Sequence, residues 1–240
     1  MGSFASVLVA RIPERLGIHG KSRCQHCKNE ISLYDNIPLI GFLLLRGRCR
    51  SCKERISLLY PALELFTVFG TFMIVRHFNS WFVCIAWVIF LTFGLALSVI
   101  DQRNKRLPDV LTLPLYLILV SILGLDSLLN HHGHRFLIAV ISSLMLALFY
   151  TLLNIFSRGG MGLGDAKLAL SVGLLAGYLN AFTVFAATFT AFSFGALIGV
   201  LSIAVGKSTR KTALAFGPFI FCGLLLGPWV SPPLEKLLQL

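Results

Sequence analysis

Two aspartates stand at the edges of long apolar runs. Asp101 closes the run from Trp81 to Ile100, and Asp165 opens another inside Gly162-Leu163-Gly164-Asp165. A carboxylate at the border of hydrocarbon is costly, which by default marks a functional site. Two carboxylates facing one cavity can share a proton, so that one acts as base while the other acts as acid. Such a pair can hydrolyse an amide without a nucleophilic side chain. The ionised group takes a proton from water, and the protonated one polarises the carbonyl and then assists the leaving amine. The pair titrates as a unit, so neither role is assigned to one residue. Gly162 and Gly164 remove side chains beside Asp165, which lets a substrate backbone come close. Lys167 is expected to bias the pair, to hold the loop, or to extend to the membrane interface. Asp109, after Pro108, reads first as a capping or first-turn acid of a helix, with direct participation in catalysis as the alternative.

A second constellation is made of cysteines. Cys24-x-x-Cys27 and Cys49-x-x-Cys52 lie in a segment, residues 11–60, that holds ten basic residues and no membrane span. Each pair can present two thiolates to one ion, and two pairs complete the closed tetrahedral set of a structural zinc site. The competing reading is two disulfides or free thiols. A cytoplasmic position, which the charge pattern supports, is reducing and argues against disulfides. The role of the metal is then to staple a segment too short to build its own core. His26 lies between two ligands and reads as a bystander. Cys84 and Cys222 sit alone within spans and read as packing residues. His131, His132 and His134, and likewise Asp126 near the end of its span, read as solvated.

The elements that must position these groups are membrane helices. The chain has 240 residues, 56% of them hydrophobic and only 13% charged, against about 25% charged in a soluble domain. Apolar blocks of bilayer-spanning length fall at 61–77, 81–100, 110–128, 136–156, 166–181, 183–205 and 212–230, each roughly 17 to 25 residues long. The fold expected is an all-α polytopic membrane protein of about seven transmembrane helices, with a small cytoplasmic zinc domain over 1–60 and a transmembrane domain over 61–240. The fifth span is short and rich in Gly and Ala, which suits a helix packed in the middle of a bundle. The net charge of +11 follows the positive-inside rule instead of a nucleic-acid footprint, for which no binding motif is present. With residues 1–60 in the cytoplasm, Arg103, Lys105, Arg106, Arg158, Lys167, Lys207, Arg210 and Lys211 share that side. Only Arg76, Arg135 and Lys236 of the 21 basic residues fall on the other. The same arrangement puts Asp101 and Asp165 at one face. No cleavable signal peptide is read at the start, since the apolar stretch over 4–10 is too short.

Further segments stand in order along the chain: Gly2-Ser3-Phe4, Arg11-Ile12-Pro13, the two cysteine pairs, Asp35-Asn36-Ile37-Pro38-Leu39 and Arg46-Gly47-Arg48-Cys49-Arg50. Tyr60-Pro61 with Glu64 follows, then Asp101 with Leu107-Pro108-Asp109, the stretch from Gly160 to Leu168, and Phe216-Gly217-Pro218-Phe219. Together these segments resemble one family, the bacterial prepilin peptidases (type IV leader peptidases), which are GxGD intramembrane aspartyl proteases. The resemblance implies an enzyme of the bacterial inner membrane that cuts the basic leader from prepilins or pseudopilins after a glycine. It implies that Asp101 and Asp165 are the catalytic pair and that Cys24, Cys27, Cys49 and Cys52 hold zinc. It also implies N-methylation of the new terminus with S-adenosylmethionine, for which no Gly-rich nucleotide loop is visible. Glu64 is expected to pair with a basic residue of the zinc domain or to line the methyl-transfer site. Relatives usually carry a hydrophobic helix that begins before the Gly-Ser-Phe stretch, so only a remnant of it is expected here. Leu59 stands where a basic residue often precedes Tyr-Pro.

Three other readings share some of these features. Another GxGD protease would keep the chemistry and change the substrate. A non-enzymatic assembly scaffold would leave both aspartates dispensable. A proton- or ion-coupled transporter would place its acids in mid-bilayer among inverted repeats, which this sequence does not display.

Overall fold

The structure, a computed structural model, describes residues 2–12, 22–24, 26–32, 34–157, 161–206 and 215–238. Pro13, Arg158, Gly160, Lys207, Arg210 and Lys211, used in the sequence reading, lie outside the described residues. The chain divides into two compact units, Met1–His77 and Phe78–Leu240.

The first unit contains α1 (Gly2–Arg11), a 3-10 turn (Tyr34–Asn36), the short α2 (Ile40–Leu44) and α3 (Leu59–His77). α1 packs on α3 through buried Ala5, Leu8 and Val9. Gly2 is pressed onto α3 so closely that a Cβ there would stand 2.7 Å from Glu64 Cα. Glu64 itself turns to the backbone: its Oε2 accepts the N–H of Leu39 at 2.8 Å. It thereby holds the residue just before α2, a partner neither of its expected roles supplied.

The second unit is an up-and-down bundle of α4 (Trp81–Asn104), α5 (Asp109–Leu129), α6 (Gly133–Phe156), α7 (Leu163–Leu179), α8 (Ala181–Ala204) and α9 (Gly217–Leu238). Local chemistry sets the turns. α4 stops where Lys105 takes a left-handed conformation (φ 50°). Asn180 alone separates α7 from α8, and its side chain accepts the N–H of Thr183 at 2.7 Å as an N-cap. α6 packs on α7 without bulky spacers. A Cβ on Gly173 would come within 2.7 Å of the Ser142 carbonyl, and Ser143 Oγ donates to the Leu170 carbonyl at 2.8 Å. Small residues and interhelical hydrogen bonds are what hold helices together where lipid removes the hydrophobic drive.

Among the described residues, six helices are long and apolar enough to cross a membrane: α3, α4, α5, α6, α8 and α9. The fifth expected span, α7, has 17 residues, about 26 Å of helix. It is buried along most of its length, including Leu168, Val172, Leu174 and Leu175. All described regular structure is helical; among the described residues the β pairing consists of two isolated bridges in the first unit.

Candidate active site and metal centre

Alternating helix direction carries Asp101, near the end of α4, and Asp165, in the first turn of α7, to the same end of the second unit. Both are buried, each 5% exposed, and they lie close enough to interact electrostatically. Each takes a backbone N–H at the start of a helix. Asp165 Oδ2 accepts from Gly162, the residue before α7, at 3.1 Å. Asp101 Oδ2 accepts from Gly217, the first residue of α9, at 2.9 Å. Unpaired N–H groups and the helix dipole both favour negative charge at these positions. The pair is thus buried, yet one anion between the two helix starts is stabilised.

The glycines differ in purpose. A Cβ on Gly162 would stand 3.4 Å from Asp165 Oδ2, leaving the space beside the carboxylate open. A Cβ on Gly164 would strike Leu107 Cβ at 2.7 Å. That face is filled by Leu107, between α4 and α5, so the missing side chain at Gly164 allows close packing there. Lys167 points to a third partner: its Nζ donates to Asp109 Oδ1 at 2.6 Å. The ion pair ties the first turn of α5 to α7 beside the aspartates. Behind them stands an aromatic wall. Tyr150 is 1% exposed and close enough to Asp165 to interact with its charge. Its ring lies 5.9 Å from Phe192, which lies 5.1 Å from Phe216.

Gly217 is the site residue that sequence reasoning passed over. It appeared only inside a recognised tetrapeptide, although Gly-Pro just ahead of an apolar run is itself a helix-start signal. At the opposite end of the unit, Asp126 corrects an expectation. It is 1% exposed instead of solvated. Ser80 Oγ, Asn130 Nδ2 and Tyr178 OH all donate to it, and His132 Nδ1 lies 3.9 Å away. Ser80 just before α4, Asn130 just after α5, His132 just before α6 and Tyr178 within α7 converge on one carboxylate, which therefore ties these helix ends together.

In the first unit the four thiols of Cys24, Cys27, Cys49 and Cys52 lie within 4.8 Å of one another. Cys24 and Cys52 sulfurs are 3.9 Å apart, and those of Cys27 and Cys49 are 4.0 Å apart. Four sulfurs each at about 2.3 Å from a zinc ion stand at this separation in a tetrahedron, so the residues fit the metal. The two knuckles repeat one backbone design. Cys24 N donates to Asn29 O and Lys28 N to Cys24 O; Cys49 N donates to Glu54 O and Lys53 N to Cys49 O. Lys28 and Lys53, each just past the second cysteine, both take positive φ, 58° and 61°. An antiparallel bridge closes each turn, Arg23 with Glu30 and Arg48 with Arg55. Backbone N–H groups of Cys52 and Ser51 aimed at Cys49 lower its thiol pKa to about 6, whereas that of its neighbour Cys52 is raised to about 11, so the thiolate a metal needs is favoured at Cys49 alone of these two. Arg50 grips Asp35 with two hydrogen bonds of 2.8 and 2.7 Å, which with Ser32 holds that carboxyl below the usual range. His26 is exposed and outside the cluster.

Residues 1–78 match the bacterial peptidase A24 N-terminal domain, and residues 88–203 match the type IV leader peptidase family. The chain is 30% identical to a prepilin leader peptidase/N-methyltransferase of Pseudomonas aeruginosa, covering 96% of this chain and 86% of the relative. It is 32% identical to a protein of the same name in Vibrio cholerae over 74% of each chain. To that of Bacillus subtilis it is 29% identical, over 94% of this chain and 88% of the relative. No solved structure matches.

Proposed function

Because the chain belongs to the type IV leader peptidase family, we propose that it removes the basic leader of prepilins or pseudopilins by cutting after glycine with Asp101 and Asp165. The observation that carries this reading is the meeting of the two aspartates at one end of the bundle, each with a backbone N–H from a helix start. One aspartate, ionised, takes a proton from the attacking water. The other, protonated, polarises the scissile carbonyl and then gives its proton to the leaving amine. Mutual repulsion keeps the second proton on the pair. Gly162 leaves room for the substrate backbone beside Asp165, Lys167 with Asp109 fixes the loop that bears it, and Gly217 fixes Asp101.

The substrate fits the same face. A leader rich in basic residues stays in the cytoplasm by the rule that orients the enzyme itself. Its scissile bond then lies at the inner-membrane interface, level with the aspartates. Residues 1–60 form a cytoplasmic zinc-binding domain, and 61–240 form the peptidase domain. Cys24, Cys27, Cys49 and Cys52 hold the zinc, which supplies cross-linking of the fold and no chemistry on substrate. N-methylation with S-adenosylmethionine rests on the family alone. The described residues include no strand-to-helix glycine loop of the kind that cradles a nucleotide, and no residue is assigned to that step. The test is incubation of a purified prepilin with the chain in liposomes, read by intact mass. Loss of the leader at glycine supports the reading, and an added methyl group extends it.

A further inference from the structure

The first unit carries a surface that the proposed reaction does not use. α2 has the sequence Ile40-Gly41-Phe42-Leu43-Leu44, and Leu43 and Leu44 are 73% and 74% exposed, with Ile40 at 52%. Ile37, just before α2, and Leu58, just before α3, are exposed too. Immediately after α2 the chain turns basic. Arg46, Arg48, Arg50 and Lys53 line an open cleft of about 550 Å³ with no acidic side chain in its wall. Arg50 is held by Asp35; among the described residues, Arg46, Arg48 and Lys53 have no acidic partner.

The level of this surface is set by the span beside it. α3 has 19 residues, about 28 Å of helix, which matches a hydrocarbon core of about 30 Å. Its start at Leu59 therefore lies near the boundary between headgroups and acyl chains. Glu64 is five residues in, about 8 Å along the axis, and it holds the N–H of Leu39. α2 begins at the next residue. Because helical side chains tilt back toward the helix start, α2 is tethered within about one and a half helix turns of the interface, with its leucines uncovered by any residue of its own unit.

We propose that α2 and the basic loop after it form a lipid-docking surface. Ile40, Leu43 and Leu44 enter the boundary between headgroups and acyl chains, while Arg46, Arg48 and Lys53 hold the phosphate of an anionic phospholipid. Apolar side chains beside cations are the composition of an interfacial segment that binds negatively charged leaflets. The basic leader of the proposed substrate carries the wrong charge for this cleft. Docking then fixes the orientation of the metal domain against the bilayer.

The test uses the full zinc-loaded chain in nanodiscs of phosphatidylcholine, or of phosphatidylcholine half replaced by phosphatidylglycerol. Amide hydrogen exchange of residues 40–48 is read in each. Exchange about tenfold slower in the anionic discs is expected, with the gain lost in Arg46→Gln/Arg48→Gln at unchanged zinc content. Equal exchange of the parent in both lipids overturns the proposal. So does equal protection from inorganic phosphate added to phosphatidylcholine discs, which would make the cleft a free-anion site. Protection that appears only on adding a protein partner overturns it as well. None of these readouts depends on prepilin cleavage.

Discussion

The backbone N–H of Gly217 donates to Asp101 Oδ2 across 116 residues of chain, at 2.9 Å. A Cβ on Gly217 would stand 2.8 Å from that same oxygen. Gly217→Ala therefore displaces the carboxylate while leaving the aspartate in place. A hydrogen bond to a charged group contributes about 1.5 to 3 kcal/mol, so kcat is expected to fall about ten- to a hundredfold, with KM little changed. Cleavage kinetics across pH check this, and a displaced pH profile distinguishes a moved aspartate from a loosened fold.

Asp126 is the buried clamp at the other end of the bundle. Asp126→Leu leaves the donors of Ser80, Asn130 and Tyr178 without their acceptor. Only Tyr178 among them is buried, Ser80 being half-buried and Asn130 exposed; an unsatisfied buried group costs about 1 to 3 kcal/mol, so the loss expected here is about 2 kcal/mol. Thermal unfolding in detergent measures it. Cleavage below the melting temperature should stay near the parent rate, because nothing at the aspartate pair changes.

How much of this was legible in the sequence depends on how local each signal is. The helices were, because an apolar run declares itself within its own length; the seven expected spans correspond to α3 through α9. The cysteine knuckles were, because Cys-x-x-Cys is a local spacing. The tie between Gly217 and Asp101 was not: a backbone donor has no side-chain identity and its partner is distant in sequence. The place of Asp126 at the end of an apolar run suggests water, whereas chain reversals bring Ser80, Asn130 and Tyr178 over it. The contact of Gly164 with Leu107 is likewise hidden from local spacing, because Leu107 comes from another loop.

The metal centre gives a third expectation. Cys24→Ser removes one of four ligands, and two-point truncation at Cys24 and Cys49 removes half the set. Zinc content should fall, and the first unit should lose its protection against limited proteolysis, because the short segment has little core. A chelator should do the same to the parent. Measured zinc per chain, with proteolysis in parallel, is the check. Full resistance after complete loss of zinc would show that the metal is not the staple.

The Asp35 pair supplies a pH dependence. The hydrogen bonds from Arg50 hold the folded Asp35 carboxyl below its usual range. A group with a lowered folded value adds stability that is fully present above the unfolded value, about 3.9. That stability is lost as pH falls through the folded value. Asp35→Asn should therefore be slightly less stable than the parent at neutral pH, and the gap should close in acid below that point. Melting curves of both proteins at a series of pH values test the direction. Because Arg50 is exposed, the gap is small and shrinks in high salt.

The central claim concerns Asp101 and Asp165. The direct measurement is leader removal from a purified prepilin by the parent, Asp101→Asn and Asp165→Asn in the same membranes, with folding checked by melting temperature. Each asparagine keeps the size of the side chain and removes its titrating proton. The account predicts that the parent cuts after glycine and that each folded variant is slower by at least about a thousandfold, since an essential acid or base is gone. Cutting by either folded variant at the parent rate would contradict it.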